Sequence, residues 1–185
     1  MRSIKTIGII IKRRDFNEAD RLLTVYTKEF GKIQIKAQGV RRITSRRSSH
    51  IEQLNYTELS LYKGRSLHTL TEAQMITTFP AIKENLAKTG LAYHICELID
   101  GLCPENQEQS QLFFLLKKTL DKLEISEPND MAVLIHEFEI ELLTSLGYWH
   151  DLPEASRTLD THQFIENILE RKLRSHRVFE EIANT

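Results

Sequence analysis

The sequence predicts an α+β protein: a small closed five-stranded β-barrel over residues 1–79, then a helical bundle over residues 80–185. Three observations carry this. Residues 3–79 break into five short stretches of strand character. Beyond Phe79-Pro80, apolar residues recur at helical spacing. Charge divides at the same place: residues 1–80 hold 15 Lys+Arg against 7 Asp+Glu, a net of +8, and residues 81–185 hold 10 against 19, a net of −9. The overall charge of −1 hides that asymmetry. A basic half beside an acidic half suggests a nucleic-acid-facing module and a second module with another task.

The first strand runs from about Ile4 to Arg14, with Ile7, Ile9 and Ile11 expected on one face. The second, about Arg21 to Phe30, is rich in β-branched and aromatic residues. Gly31 supplies a tight turn into the third strand, Lys32 to Gln38. There Ile33, Ile35 and Ala37 point one way, and Lys32, Gln34, Lys36 and Gln38 the other. The fourth runs from about Ile51 to Tyr62 and ends at Lys63-Gly64-Arg65. The fifth spans Leu67 to about Ile76. Closure removes exposed strand edges, so a small OB-fold barrel suits five short strands better than an open sheet.

In the second half, Leu91, Ile95, Leu98 and Leu102 mark one helix, and Leu112, Phe113, Leu116, Leu120 and Leu123 another. A third follows Pro128-Asn129-Asp130, with Asp130 as the expected N-cap; it carries Leu134, Ile135, Phe138 and Leu142 and stops at Gly147. A fourth has Asp160 and Gln163 at capping-box spacing before Phe164, Ile165, Ile168 and Leu169. A short last helix is expected from Ser175, burying Val178, Phe179 and Ile182.

Several function classes find no support. The seven glycines form neither a phosphate loop nor a dinucleotide fingerprint, so ATP-driven work is not expected. Cys96 and Cys103 lack zinc-ribbon spacing and read as reduced, buried thiols. The histidines form neither H-x₃-H nor HExxH, and His94 with Glu97 reads as a surface hydrogen bond. Asp15, Glu18 and Asp20 in the DFNEAD loop could hold Mg²⁺ for a nuclease, but Arg13, Arg14 and Arg21 stand ready to pair with them. The expectation is a protein with no catalytic residues, cofactor or metal. The N-terminus is not a signal peptide, and no window approaches a membrane span, so a cytoplasmic location is expected.

What remains is binding. No acid occurs from Phe30 to Ile51, and the loop after Gly39 carries Arg41, Arg42, Arg46 and Arg47. With Lys12, Arg13, Arg14, Arg21, Lys32 and Lys36, these cations could line one groove for a phosphate backbone. The competing reading is an ordinary solvated exterior, which usually interleaves acids. Phe16, Tyr26, Tyr56 and Tyr62 are the aromatic residues that could stack bases or serve as core.

The run EADRLLTVYTKEFGKIQIKAQGVRRITSRR, followed by LYKGRSLHTLTEAQ, resembles the start of bacterial RecO recombination mediators. The likeness rests on Glu18, Ala19, Asp20, Arg21, Thr27, Gly31, Lys32, Ala37, Gly39, Arg41, Ser45 and Arg46, and covers residues 4–79. LLTSLGY at 142–148 and LRSHRVFEEI at 173–182 extend it more loosely. Many relatives insert a cysteine-bearing zinc segment after LGY. Here only His150 to Asp160 intervenes, without cysteine, so zinc is not carried over.

The resemblance implies an OB-fold barrel joined to a helical domain that binds single- and double-stranded DNA and anneals complementary strands. It further implies work with RecR and the single-strand-binding protein SSB, so that RecA is loaded at gaps during DNA repair. In the family, the acidic SSB C-terminal tail docks on the helical domain. That needs apolar walls and a basic rim, chemistries that Phe113, Phe114, Leu116, Lys117, Lys118 and Lys122 offer. The same six also fit a buried stripe plus an exposed face. The rival function is an OB-fold RNA-binding module in translation or ribosome assembly.

Overall fold

The computed structural model describes residues 3–64, 67–149 and 160–175. Five strands are present: β1 (Ser3–Phe16), β2 (Asp20–Thr27), β3 (Gly31–Ala37), β4 (Tyr56–Tyr62) and β5 (His68–Thr77). They close in the order β1-β2-β3-β5-β4, every contact antiparallel except β3 with β5. The long β1 makes closure possible, because it pairs with β2 and also with β4.

The barrel interior holds Ile10, Leu23, Val25, Ile33, Ile35, Ala37, Val40, Ile51, Leu59, Leu61 and Leu70, all essentially inaccessible. Burying each large aliphatic side chain contributes roughly 1.5–3 kcal/mol against leaving it in water. The β3 alternation is as its pattern predicts. In β1 the interior residue is Ile10, whereas the expected face was Ile7, Ile9 and Ile11. Pairing is regular as far as Ile10, so Ile7 and Ile9 share the face opposite Ile10; the register jumps only beyond it, with a bulge at Ile11. Ile9 and Ile11 are buried too, outside that interior cluster.

The fourth strand begins at Tyr56 rather than Ile51. Ile51 instead closes a one-turn 3₁₀ helix, Ser49–Ile51, and fills the barrel end. Asn55 holds that turn by donating from Nδ2 to the Ser49 carbonyl at 2.9 Å. β2 stops at Thr27, whose hydroxyl donates to the Gly31 carbonyl and accepts from the Phe30 N–H, building the turn into β3.

Among the described residues five helices follow: α1 (Pro80–Glu84), α2 (Leu86–Leu102), α3 (Ser110–Ile125), α4 (Pro128–Ser145) and α5 (Thr161–Leu169). Asn85 caps α2 by accepting from the Lys88 N–H. In α4 the N-cap is Glu127, not Asp130: Pro128 takes the first helical position, where its missing N–H costs nothing, and Asp130 lies in the first turn. Asp160 caps α5, accepting from the His162 N–H at 3.0 Å. The helix expected after Ser175 lies outside the described residues, as does 150–159.

The chain divides into two compact units, residues 1–79 with 104–114 and residues 80–103 with 115–185. Residues 104–114 group with the barrel strands although they follow residue 80 in the sequence. Within the second unit α1 packs on α2, α2 on α4 and α4 on α5. Leu91, Ile95, Leu98, Leu116, Leu120, Ile135, Phe138, Leu142 and Ile165 are buried there.

Candidate nucleic-acid interface

The outer face of β3 is not an open cationic strand. Lys32 is only 6% exposed, because residues 105–107 lie across the start of β3. Glu105 forms a parallel bridge with Lys32, the Asn106 N–H donates to the Lys32 carbonyl at 2.8 Å, and Gln34 Nε2 donates to Glu105 Oε1 at 2.6 Å. Further along, Lys36 Nζ stands 3.2 Å from Asp20 Oδ2 and 5.5 Å from the centre of the Phe16 ring.

Other expected contacts are engaged internally. Arg13 and Arg21 both pair with Glu52, and Arg21 also reaches Asp15 at 3.5 Å. Arg41 pairs with Asp15 at 3.3 Å and donates to the carbonyls of Asn17 and Glu18. Arg47 donates to three carbonyls, those of Leu70, Thr71 and Gln38. The stretch free of acids in sequence is thus met in space by Asp15, Asp20, Glu52 and Glu105. The same pairing uses two of the three acids in DFNEAD, Asp15 and Asp20, as structural partners, against a Mg²⁺ site.

Those contacts build a platform. Asp20 Oδ1 accepts from the Gly39 N–H at 2.8 Å, and the Arg41 N–H donates to the Ala19 carbonyl. With Arg41 held to the β1–β2 hairpin and Arg47 held to β5, the loop is fixed at both ends and its tip is presented outward. Among the described residues, Arg14, Arg42 and Arg46 are exposed and form no ion pair; Lys12 is exposed as well. Arg21, Arg41, Arg42 and Arg46 line one open hollow of ≈ 650 Å³, with Ser45, Ser48, Ser49 and the exposed Ile43 beside them and Glu52 as its single acid. Guanidinium forks and hydroxyls converging on a shallow hollow suit phosphate oxygens. Arg46 and Arg47 also border a second hollow, but Glu58 and Glu72 share it and weaken its appeal to a polyanion.

The aromatic residues divide. Tyr26 is core, Tyr56 packs at 6.1 Å from Phe113, and Phe16 and Tyr62 are exposed. Of the six residues proposed for a partner, Phe113 and Leu116 are buried and offer no surface. Phe114 is 54% exposed, with Lys28 Nζ 5.5 Å from its ring centre. Lys117 pairs with Asp121, and Lys118 and Lys122 stand 3.9 Å from Glu141 and Glu137. These exposed pairs are weak and open readily to a competing anion.

The sequence reading anticipated pairing of Arg21 with the nearby acids, but missed Glu52 and Glu105, and missed that Asp15 and Asp20 also hold Arg41 and Lys36. The signal for the Arg21 pair is local: with a hairpin tip at residues 17–19, Asp15 and Arg21 fall directly opposite each other. Asp20 also gives a pH test. Its carboxyl is held below the ordinary aspartate range, first by the Gly39 N–H and then by Lys36, with burial opposing. A depressed native value means stabilisation that is complete above the ordinary range and lost as pH falls through the native one. Asp20→Ala should therefore lower the urea midpoint at neutral pH, and the gap from the parent should close on acidification. A gap that stays constant with pH would show that the Asp20 charge is not what fixes Gly39.

A closed barrel in this strand order, with an arginine-lined loop and an attached helical unit, defines an oligonucleotide/oligosaccharide-binding (OB) barrel protein. Residues 1–79 match the family model described as Recombination protein O N terminal, and residues 83–158 match Recombination protein O C terminal. The chain belongs to the RecO family. It is 34% identical over 156 residues to the DNA repair protein RecO of Pelotomaculum thermopropionicum, covering 84% of this chain and 60% of that protein. It is 38% identical over 152 residues to that of Dehalococcoides mccartyi (82% and 59%), and 34% over 142 residues to that of Symbiobacterium thermophilum (76% and 55%). The chain spans about three fifths of the length of the curated relatives it matches. Among the described residues, no helix is long and apolar enough to cross a membrane.

Proposed function

We propose that this chain is a non-enzymatic DNA-binding mediator of recombinational repair, acting in the cytoplasm. It binds and anneals DNA strands and helps load recombinase at gaps. The observation that carries the reading is the arginine-lined hollow with Arg42 and Arg46 free at its rim, in a chain whose relatives are named DNA repair protein RecO. Cations on a fixed loop screen the repulsion between two phosphate backbones and so lower the barrier to pairing. Contacts of this kind read charge rather than base sequence.

Partner recruitment falls to other surfaces. RecR and the SSB tail are the proposed partners, with RecA downstream. Phe114, with Lys28 over its ring, combines an apolar plate with a cation and suits an acidic tail ending in an aromatic residue. The deciding experiment is anisotropy of labelled single- and double-stranded DNA across a salt series, with matched RNA as competitor and an annealing assay alongside. Affinity for DNA that falls steeply with salt, and accelerated annealing, are expected. RNA binding equal to or tighter than DNA binding would favour the translation-module rival. Purified protein should hydrolyse no ATP above background; turnover would overturn the non-enzymatic reading.

A further inference from the structure

The helical unit contains a buried polar cluster that the DNA-binding reading does not use. His94 on α2 is inaccessible, Glu139 on α4 is 1% exposed, and His162 in the first turn of α5 is half-buried. The expectation of a surface hydrogen bond between His94 and Glu97 is thereby corrected: His94 faces the interior, and Ser175 links it to Glu97. Both imidazoles converge on one atom. His94 Nε2 is 2.8 Å and His162 Nε2 3.3 Å from Glu139 Oε1, and the two rings stack with centroids 5.0 Å apart. The other carboxylate oxygen, Oε2, accepts from the Thr161 hydroxyl.

Counting protons along this chain narrows what the site holds. Glu97 accepts from Arg171 Nη1 at 2.7 Å, from the N–H groups of Arg174 and Ser175, and from the Ser175 hydroxyl at 2.9 Å. With the Ser175 proton directed at Glu97, its oxygen accepts from His94 Nδ1, 2.7 Å away. Nε2 of a neutral His94 then carries a lone pair facing a carboxylate oxygen. Two such electron pairs at 2.8 Å need either a proton or a metal ion between them.

We infer that His94 Nε2, Glu139 Oε1 and His162 Nε2 form a binding site for a divalent transition-metal ion, Zn²⁺ by its donor set. Two imidazoles and one carboxylate are a zinc-type set with a fourth position left for water. Tetrahedral ligation with bonds near 2.0–2.1 Å places ligand atoms about 3.3 Å apart. The three atoms already lie within 4.8 Å of one another, so shifts of side-chain size complete the geometry. The Ser175–Glu97 relay behind His94 is the outer-shell support that fixes a ligating histidine's tautomer. No local spacing announces the site, because its ligands come from three helices, with His94 and Glu139 45 positions apart. An ion there would tie α2, α4 and α5 together.

The test uses the full chain, stripped with chelator and titrated with Zn²⁺ by calorimetry and with Co²⁺ by visible absorption. One equivalent should bind, Co²⁺ should give a tetrahedral spectrum, and Zn²⁺ should raise the melting temperature. His162→Ala, at the half-buried edge where folding is least at risk, should bind 10–100-fold more weakly. Glu139→Gln, which keeps the side-chain shape, should do the same. Absence of saturable one-to-one binding to the parent chain would overturn the site. So would parent-like affinity in His162→Ala, which would place any bound ion elsewhere.

Discussion

Arg42→Ala combined with Arg46→Ala is expected to weaken single-stranded DNA binding by about 2 kcal/mol, roughly 30-fold, irrespective of sequence. The plot of log affinity against log salt should flatten by about 1.4, two contacts at about 0.7 each for a single strand. These two guanidiniums are the right pair to remove because both are exposed, border the same hollow and form no internal ion pair. Arg47→Ala should behave differently. Arg47 spends its donors on the carbonyls of Leu70, Thr71 and Gln38. Its loss should cost about 1 kcal/mol or more of stability, by leaving the loop unpinned, with a smaller direct effect on the salt slope. A double variant with parent-like melting and an unchanged slope would remove the loop from the interface, and with it the main physical support for the proposed function.

The fold and the cluster of cations were legible in the sequence, while the separate parts played by Arg42, Arg46 and Arg47 were not, for identifiable reasons. The alternation Ile33, Ile35, Ala37 is faithful because β3 is regular and its inner face is dry. The β1 alternation of Ile7 and Ile9 is equally regular, but it marks the face opposite the barrel interior, where Ile9 is buried all the same. The cations were visible, and so was the nearby Asp15, but the distant partners were not. Glu52 reaches Arg13 and Arg21 only through barrel closure, and Glu105 reaches β3 from a segment more than 70 positions later. Composition along a window cannot report what topology brings in from outside it. The buried His94 is a different case. It follows Leu91 by three residues and so lies on the helix's apolar stripe, a signal that was present. Glu139 likewise precedes Leu142 by three. A polar side chain at a core position of each of two helices is the trace that a buried pair leaves in sequence.

The segment covering β3 gives the second large effect. Gly31→Ala is expected to destabilise the protein by about 3 kcal/mol, measured as a shift of the urea midpoint at constant slope. Two costs combine. Gly31 has φ +63, where a side chain costs about 1–2 kcal/mol. Its added Cβ would also fall well inside contact distance of the Gln107 carbonyl oxygen, a backbone atom that moves only if residues 105–107 withdraw. Gly39→Ala separates the two. Gly39 has φ +65, but its Cβ would meet nothing closer than the Arg42 side chain at 3.8 Å. It should lose only the conformational cost, about 1 kcal/mol. Hydrogen exchange reads the difference directly: the Asn106 N–H that donates to Lys32 should lose protection in Gly31→Ala and keep it in Gly39→Ala. Equal destabilisation of the two variants would mean that the 105–107 segment does not press on β3. DNA affinity adds an independent reading, because Gly31 and the arginine loop lie at opposite ends of β3. If phosphate is held at the loop, Gly31→Ala below its unfolding transition should bind DNA no more weakly than the parent, with Lys32 newly uncovered as an additional cation. Loss of binding in that folded variant would instead place the polyanion across the outer face of β3, the face that residues 105–107 cover.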